Sequence, residues 1–285
     1  MSTAPAETML PFKHIFHPTD FSADSHAALV HALKMAVTVG AELTIMHIDP
    51  DVGRADFEDF PRVGPILQQW NMPFPPDRRE QNSATGFSVR NVRATAKNPT
   101  TGILEYLATH PADLLVMATH QYDGLERWQH RTVAEPVARR SHTPTLFVPT
   151  HVEGFVVEET GQSRLRRVLI PVSEKPNPQA AVDLTARLVM TLGCERLTGL
   201  LVHVGNDPTL RSIQYPPRKG LVWRTMECYG EIVDVIVGMG ADFEVDLIVM
   251  TTEGHNSLLD TMRGSTTERV LRGAHCPLLA LPASH

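Results

Sequence analysis

The order of apolar runs in this chain occurs twice, and the offset between the copies can be read directly. Pro18, Asp20 and Gly40 stand 153 positions before Pro171, Ser173 and Gly193. Further on, Met117, Thr132, Glu135 and Pro144 stand 133 positions before Met250, Ser265, Glu268 and Pro277. The change of offset puts a deletion in the middle of the second copy, where the irregular excursion is shorter. A repeat of this length implies two units of one fold, and 285 residues let each unit bury its own core. The division expected is 1–149 for the first domain, 150–166 for a polar linker carrying Gly154 and Gly161, and 167–285 for the second domain.

Within each copy, strand-length apolar runs alternate with helical patterns. The first copy reads as strands over 14–20, 43–48, 89–96, 114–119 and 145–148, with helices over 22–39, 100–109 and 132–140. Gly40 closes the first helix. Residues 49–86, rich in proline, read as a surface excursion holding at most a short helix. The second copy repeats the order, with strands over 167–172, 198–204, 221–228, 247–251 and 278–281 and helices over 179–192, 231–239 and 266–272. Such alternation gives an α/β fold of two doubly wound parallel-sheet domains. Ligands of these sheets sit beyond the carboxyl ends of the strands, where strand order reverses. The final strands, 145–148 and 278–281, are expected to pair with each other across an internal pseudo-twofold.

Composition narrows the function. Hydrophobic content of 42% and charged content of 20% are globular values. A net charge of −6 and a pI near 6.1 argue against general binding of nucleic acid or acidic membranes. No basic segment leads into an apolar one near the start, no run is long enough to span a bilayer, and the three cysteines are widely spaced. The expected setting is cytoplasmic. Of the fourteen histidines, His14, His17, His26 and His31 do not share a face, and nothing forces His17, His120 and His130 together, so no metal is expected. There is no nucleophile elbow, no lysine-bearing phosphate loop and no close carboxylate pair, so no catalytic residue is assigned and the chain is not read as an enzyme.

One stretch carries ligand chemistry. Residues 245–250 form a buried-type strand, Gly254 allows close backbone approach, and Gly264-Ser265 lead into a helix starting at Thr266. The free amides and positive dipole end of that helix suit an anion, and Ser265 adds a hydroxyl that can cap the helix or meet a phosphate oxygen. An ordinary capped loop would look the same locally.

The segments Pro18-Thr19-Asp20-Phe21-Ser22, Met46-His47-Ile48-Asp49, Val202-His203-Val204, Met117-Ala118-Thr119-His120 and Met250-Thr251-Thr252-Glu253, with Thr143-Pro144 and Cys276-Pro277 before the last strands, resemble a tandem universal stress protein over nearly the whole chain. The resemblance implies a domain that often dimerises through its last strand and in which many members bind ATP while others do not; slow hydrolysis occurs in relatives. The family's nucleotide pattern is glycine, two residues, glycine, nine residues, glycine and then serine or threonine, with an aspartate ending the first strand. The second copy reads Thr251, Gly254, Gly264 and Ser265, with Ser173 at the aspartate position. The first copy keeps Asp20 but has Ala118, Gln121, Arg131 and Thr132.

Side chains in a phosphate path cost more than one lost hydrogen bond to the base, about 1–3 kcal/mol. The second domain is therefore the expected site for ATP, with magnesium as its companion. By family position Pro171, Val204 and Met250 line base and ribose, while Gly254, Gly264, Ser265 and Thr266 take the phosphates. Asp20 is expected to act instead as the cap of the helix starting at Ser22, and Arg131 to meet some other anion. Three readings follow: a stress-response nucleotide-binding protein that meets a protein partner, a scaffold with two degenerate sites that binds no nucleotide, and a nucleotide hydrolase or nucleotidyl-transfer enzyme. The chain is expected to form an internal pseudo-dimer, and a homodimer of chains stays open.

Overall fold

Short apolar strands alternate with amphipathic helices in both halves. The first half contains β1 (His14–Pro18), α1 (Ala23–Val39), β2 (Glu42–Asp49), α2 (Val63–Gln69), β3 (Ser88–Thr95), α3 (Pro99–Thr109), β4 (Leu114–Thr119), α4 (Ala134–Ser141) and β5 (Thr145–Pro149). The second contains β6 (Arg167–Val172), α5 (Gln179–Thr191), β7 (Leu197–Val204), β8 (Leu221–Cys228), α6 (Ile232–Asp242), β9 (Leu247–Thr252), α7 (Thr266–Gly273) and β10 (Leu278–Pro282). A computed structural model describes residues 10–50, 57–72, 86–119, 133–150, 152–205, 209–253 and 265–283. Local chemistry sets the ends. Ser22 accepts the Ser25 amide to start α1, and Gly40, at φ 69°, closes it in the left-handed conformation that costs glycine little.

The strands form one sheet in the order β3-β2-β1-β4-β5-β10-β9-β6-β7-β8. All pairings within a half are parallel, while β5 and β10 run antiparallel with Leu146 opposite Leu279. The two repeats thus join through their last strands, as the repeat led us to expect. Order reverses at β1 against β4 and at β6 against β9. Leu29 and Leu33 of α1 pack with Val182 and Val189 of α5 on one face of the sheet. Ile103, Val137, Ile236 and Val270, from α3, α4, α6 and α7, cover the other.

Two further symmetries hold the switch points in register. The Asp113 carboxylate accepts the amides of Lys13 and His14, and Asp246 accepts those of Arg166 and Arg167. Each aspartate pins the start of one central strand beside the next. His47 Nδ1 donates to the Thr19 carbonyl at 2.8 Å and His203 Nδ1 to the Val172 carbonyl at 2.9 Å, fixing the strand exits in the same way.

The segment between the halves does more than connect them. Val157 donates to the Gln162 carbonyl and Arg164 to the Phe155 carbonyl, making a hairpin whose Phe155 and Leu165 are buried. Phe155 meets His31 of α1 edge-on at 4.6 Å, and Trp70 donates its indole N–H to the Glu158 carbonyl at 2.7 Å. The two glycines of this linker serve close approach: a Cβ on Gly154 would lie 2.0 Å from the His31 ring, and one on Gly161 would lie 2.3 Å from Trp70. The described part of the excursion after β2 holds α2, the short helix allowed for it, and a 3-10 turn, Phe57–Asp59.

Candidate functional site

The carboxyl ends of β6, β7 and β9 open into a cavity of about 370 Å³. Pro171, Val204, Met250, Ser265 and Thr266, five of the seven residues proposed from the sequence, line this one space. The other two, Gly254 and Gly264, lie outside the described residues. The floor is apolar, with Val202, Ile236 and Met250 contributed by the packed face of the sheet and α6. The rim is rich in hydroxyls from Ser173, Thr251, Thr252, Thr266 and Thr267. An apolar floor with a polar rim suits a flat ring system carrying a polar chain.

At one end stands α7. Its N-cap Ser265 accepts the Glu268 amide at 3.2 Å, and the Glu268 carboxylate accepts the Ser265 amide at 3.1 Å, a closed capping box. Capping uses only the oxygen of Ser265 as acceptor, so its O–H remains able to donate into the cavity. Helix geometry leaves the Thr266 and Thr267 amides without intrahelical acceptors, next to the positive end of the dipole. Capping and phosphate binding, which the sequence left as alternatives for Ser265, are therefore compatible. The second Glu268 oxygen pairs with Arg139 of α4, from the other half. The capping carboxylate meets an opposite charge before it meets any ligand.

The other end differs from the nucleotide pattern. Ser173, at the aspartate position, spends its hydroxyl on the Lys175 carbonyl at 2.9 Å. His203 lines the cavity with 5% exposure. Its Nδ1 donates to the Val172 carbonyl, so in the neutral ring Nε2 is an acceptor, and this buried atom has no partner among the described residues. In the first half the equivalent His47 Nε2 lies 3.4 Å from Asp49, which in turn binds Arg93 at 2.8 Å. Gly205 occupies the corresponding place in the second half, so there the imidazole lacks a carboxylate. Among the described residues, the charged groups around the cavity are Arg139 and Lys175 against Glu135, Glu253 and Glu268. A polyphosphate entering such a site would bring a compensating cation with it.

The first-half crevice is built differently. Asp20 accepts both the amide and the hydroxyl of Ser22, at 3.0 and 2.6 Å, so it orders the capping serine and is not itself the N-cap. Partial burial pushes its carboxyl up, but these hydrogen bonds outweigh it and hold the pKa below the ordinary value. Phe21, at φ 64°, stacks on His47 with ring centres 4.1 Å apart and meets Phe60 edge-on at 5.3 Å. The chain thus covers the exit of β1 with its own rings. His17 is fully buried, donates its Nδ1–H to the Val116 carbonyl at 2.9 Å, and burial lowers its pKa to about 4. Gln121, Arg131, Thr132, His120 and His130 lie outside the described residues. Among the described residues no three His, Cys, Asp or Glu side chains come together as a metal site, and no helix is long and apolar enough to cross a membrane.

Arg139, Lys175 and His203 were missed as site residues from sequence. His203 stood in a quoted motif, but only the missing Asp49 equivalent, Gly205, could have marked it. Arg139 had no signal at all, because its role depends on the pairing of β5 with β10.

Comparison with known proteins gives a consistent result. The universal stress protein family model matches residues 11–149 and 214–282, more than half of the chain. A universal stress protein of Methanocaldococcus jannaschii is 28% identical over 140 residues, covering 48% of this chain and 82% of that protein. The structure of a universal stress protein from Archaeoglobus fulgidus superposes with a TM-score of 0.62 at 17% identity, covering 95% of this chain and 96% of the other. A Pseudomonas aeruginosa protein of unknown function gives 0.63 at 13% identity, covering 96% and 93%. These two likenesses concern the fold.

Proposed function

Because the chain belongs to the universal stress protein family, we propose that it is a stress-response binding protein whose second domain holds ATP with magnesium, and whose occupancy alters how it meets a protein partner. The observation that carries this reading is the convergence of Pro171, Val204, Met250, Ser265 and Thr266 on one cavity at the β6/β9 switch point. Three residues taken by family position for base and ribose and two for the phosphates lie at the end of the sheet where α/β proteins hold their ligands. The apolar floor takes the base, and the Ser265 hydroxyl with the first amides of α7 takes the phosphates. The described side chains that line the cavity supply binding groups and no nucleophile paired with a base, so the reading is one of binding, with at most slow hydrolysis.

Thermal unfolding with and without magnesium ATP tests it. A ligand at about a hundredfold its Kd adds about 2.7 kcal/mol to the native state, which raises the Tm by several degrees. An unchanged Tm across millimolar magnesium ATP would count against the reading. The competing reading, a scaffold that binds no nucleotide, is favoured by Thr251 in the first glycine position and by the internally bonded Ser173 hydroxyl. That protein would act through protein contacts or hold another small ligand in the first domain, and its Tm would not respond.

A further inference from the structure

The cavity is not a property of the second domain alone. Glu135, Arg139, His142 and Thr143, all from the first half, line it beside Ser265 and Thr266. The antiparallel pairing of β5 with β10 is what brings α4 against the mouth of the site. We propose that the first domain, whose own nucleotide pattern is degenerate, completes the second-domain site by supplying Arg139 as the positioning cation for the phosphate end; this rests on the nucleotide reading above.

The reason lies in the capping box. Glu268 is required at the start of α7 to hold the Ser265 amide, yet a carboxylate there is only 13% exposed and stands where phosphate oxygens must come. Unpaired, it would repel them. Arg139 engages the second oxygen of Glu268, which fixes that carboxylate in its capping geometry and offsets its charge. A guanidinium has five N–H donors, and the ion pair leaves others for a phosphate. Arg272, the repeat counterpart of Arg139, donates its Nε–H to the Glu268 carbonyl of its own helix at 3.1 Å, so Glu268 is held from both halves. An independent feature marks the same cavity as built for a ligand. The His203 Nε2, buried and without a partner among the described residues, is an acceptor that a ribose hydroxyl or an exocyclic amine of the ligand would satisfy.

The test is titration of the full chain, wild type and variants, with magnesium ATP and separately with adenosine. Arg139→Ala is expected to weaken ATP about fivefold, in the range of a partly exposed charge at a helix start, and to leave adenosine unchanged. Arg139→Lys should recover most of the loss. In a Glu268→Gln background, where the capping box survives because Gln also caps, Arg139→Ala should have a smaller effect. Equal losses for ATP and adenosine, or no loss for either, would overturn the proposal while leaving the nucleotide reading intact. A wild-type protein that binds neither ligand would overturn the nucleotide reading, and this proposal with it, before any variant is made.

Discussion

Ser265 does two jobs in this account, and substitution can separate them. Ser265→Ala removes the acceptor for the Glu268 amide at 3.2 Å. Loss of such a cap costs about 1 kcal/mol, and the reciprocal bond from the Ser265 amide to Glu268 survives. For a chain of this size the Tm should fall by about 2 °C. The same change deletes a hydroxyl donor to a charged phosphate, worth roughly 1.5–3 kcal/mol, so the affinity for magnesium ATP should drop at least about tenfold. Ser265→Asp then separates the two effects. Aspartate caps as well as serine, so the Tm should return to the wild-type value. It offers no donor and places a second negative charge beside the phosphates; at about 4 Å with an effective dielectric near 20 that repulsion approaches 4 kcal/mol. ATP binding should be weakened roughly a hundredfold or more. Calorimetric titration and a melting curve on the same samples read both quantities. Wild-type ATP affinity in Ser265→Asp would refute the phosphate role of this residue, whatever happens to the melting curve.

Other outcomes follow from other parts of the molecule. Ser173→Asp should tighten magnesium ATP about tenfold, the worth of one restored hydrogen bond to the base, because the present hydroxyl is tied to Lys175; unchanged affinity in a titration would show that the base does not lie at the end of β6. Gly154→Ala should lower the Tm by several degrees, since its Cβ would meet the His31 ring at 2.0 Å and overpacking of this kind costs about 1–3 kcal/mol; an unshifted melting curve would mean that the interdomain hairpin does not pack on α1. His17 and His31 are each held near pKa 4 by burial, against 6.5 when free. The unfolded chain therefore binds more protons between these values, so their contribution is complete above pH 6.5 and is lost as pH falls toward 4, by up to about 1.4 kcal/mol per pH unit for each histidine. Denaturant unfolding at pH 7 and pH 5 should show that loss, and a His31→Phe variant should show a shallower slope.

The parts of the fold that depend on near neighbours were legible in the chain. Gly40 and Ser22 bound α1 where the sequence placed its ends, and the apolar run 247–250 is the buried core of β9. The repeat even led to the pairing of β5 with β10, because each half carries a short apolar final strand. What could not be read are contacts between residues far apart. Phe155-Val156-Val157 is a three-residue apolar run in an otherwise polar stretch, too short to mark an element, so 150–166 resembled a linker, and only the ring of His31 and the indole of Trp70 show why Gly154 and Gly161 are glycines. The capping role of Ser265 was visible locally, whereas the partner of Glu268, Arg139, stands 129 positions away. Periodicity reports which face of an element is buried, and it carries no information about which distant charge that face will meet.

The central claim is that the second domain, and not the first, holds the nucleotide. Its most direct test is calorimetric titration of the nucleotide-stripped protein with magnesium ATP, repeated on Gly264→Arg, which puts a long side chain where the pattern needs bare backbone. The account predicts one site per chain in the wild type and none in the variant. Binding that survives unchanged in Gly264→Arg would assign the nucleotide elsewhere, and no binding in either protein would leave the scaffold reading in its place.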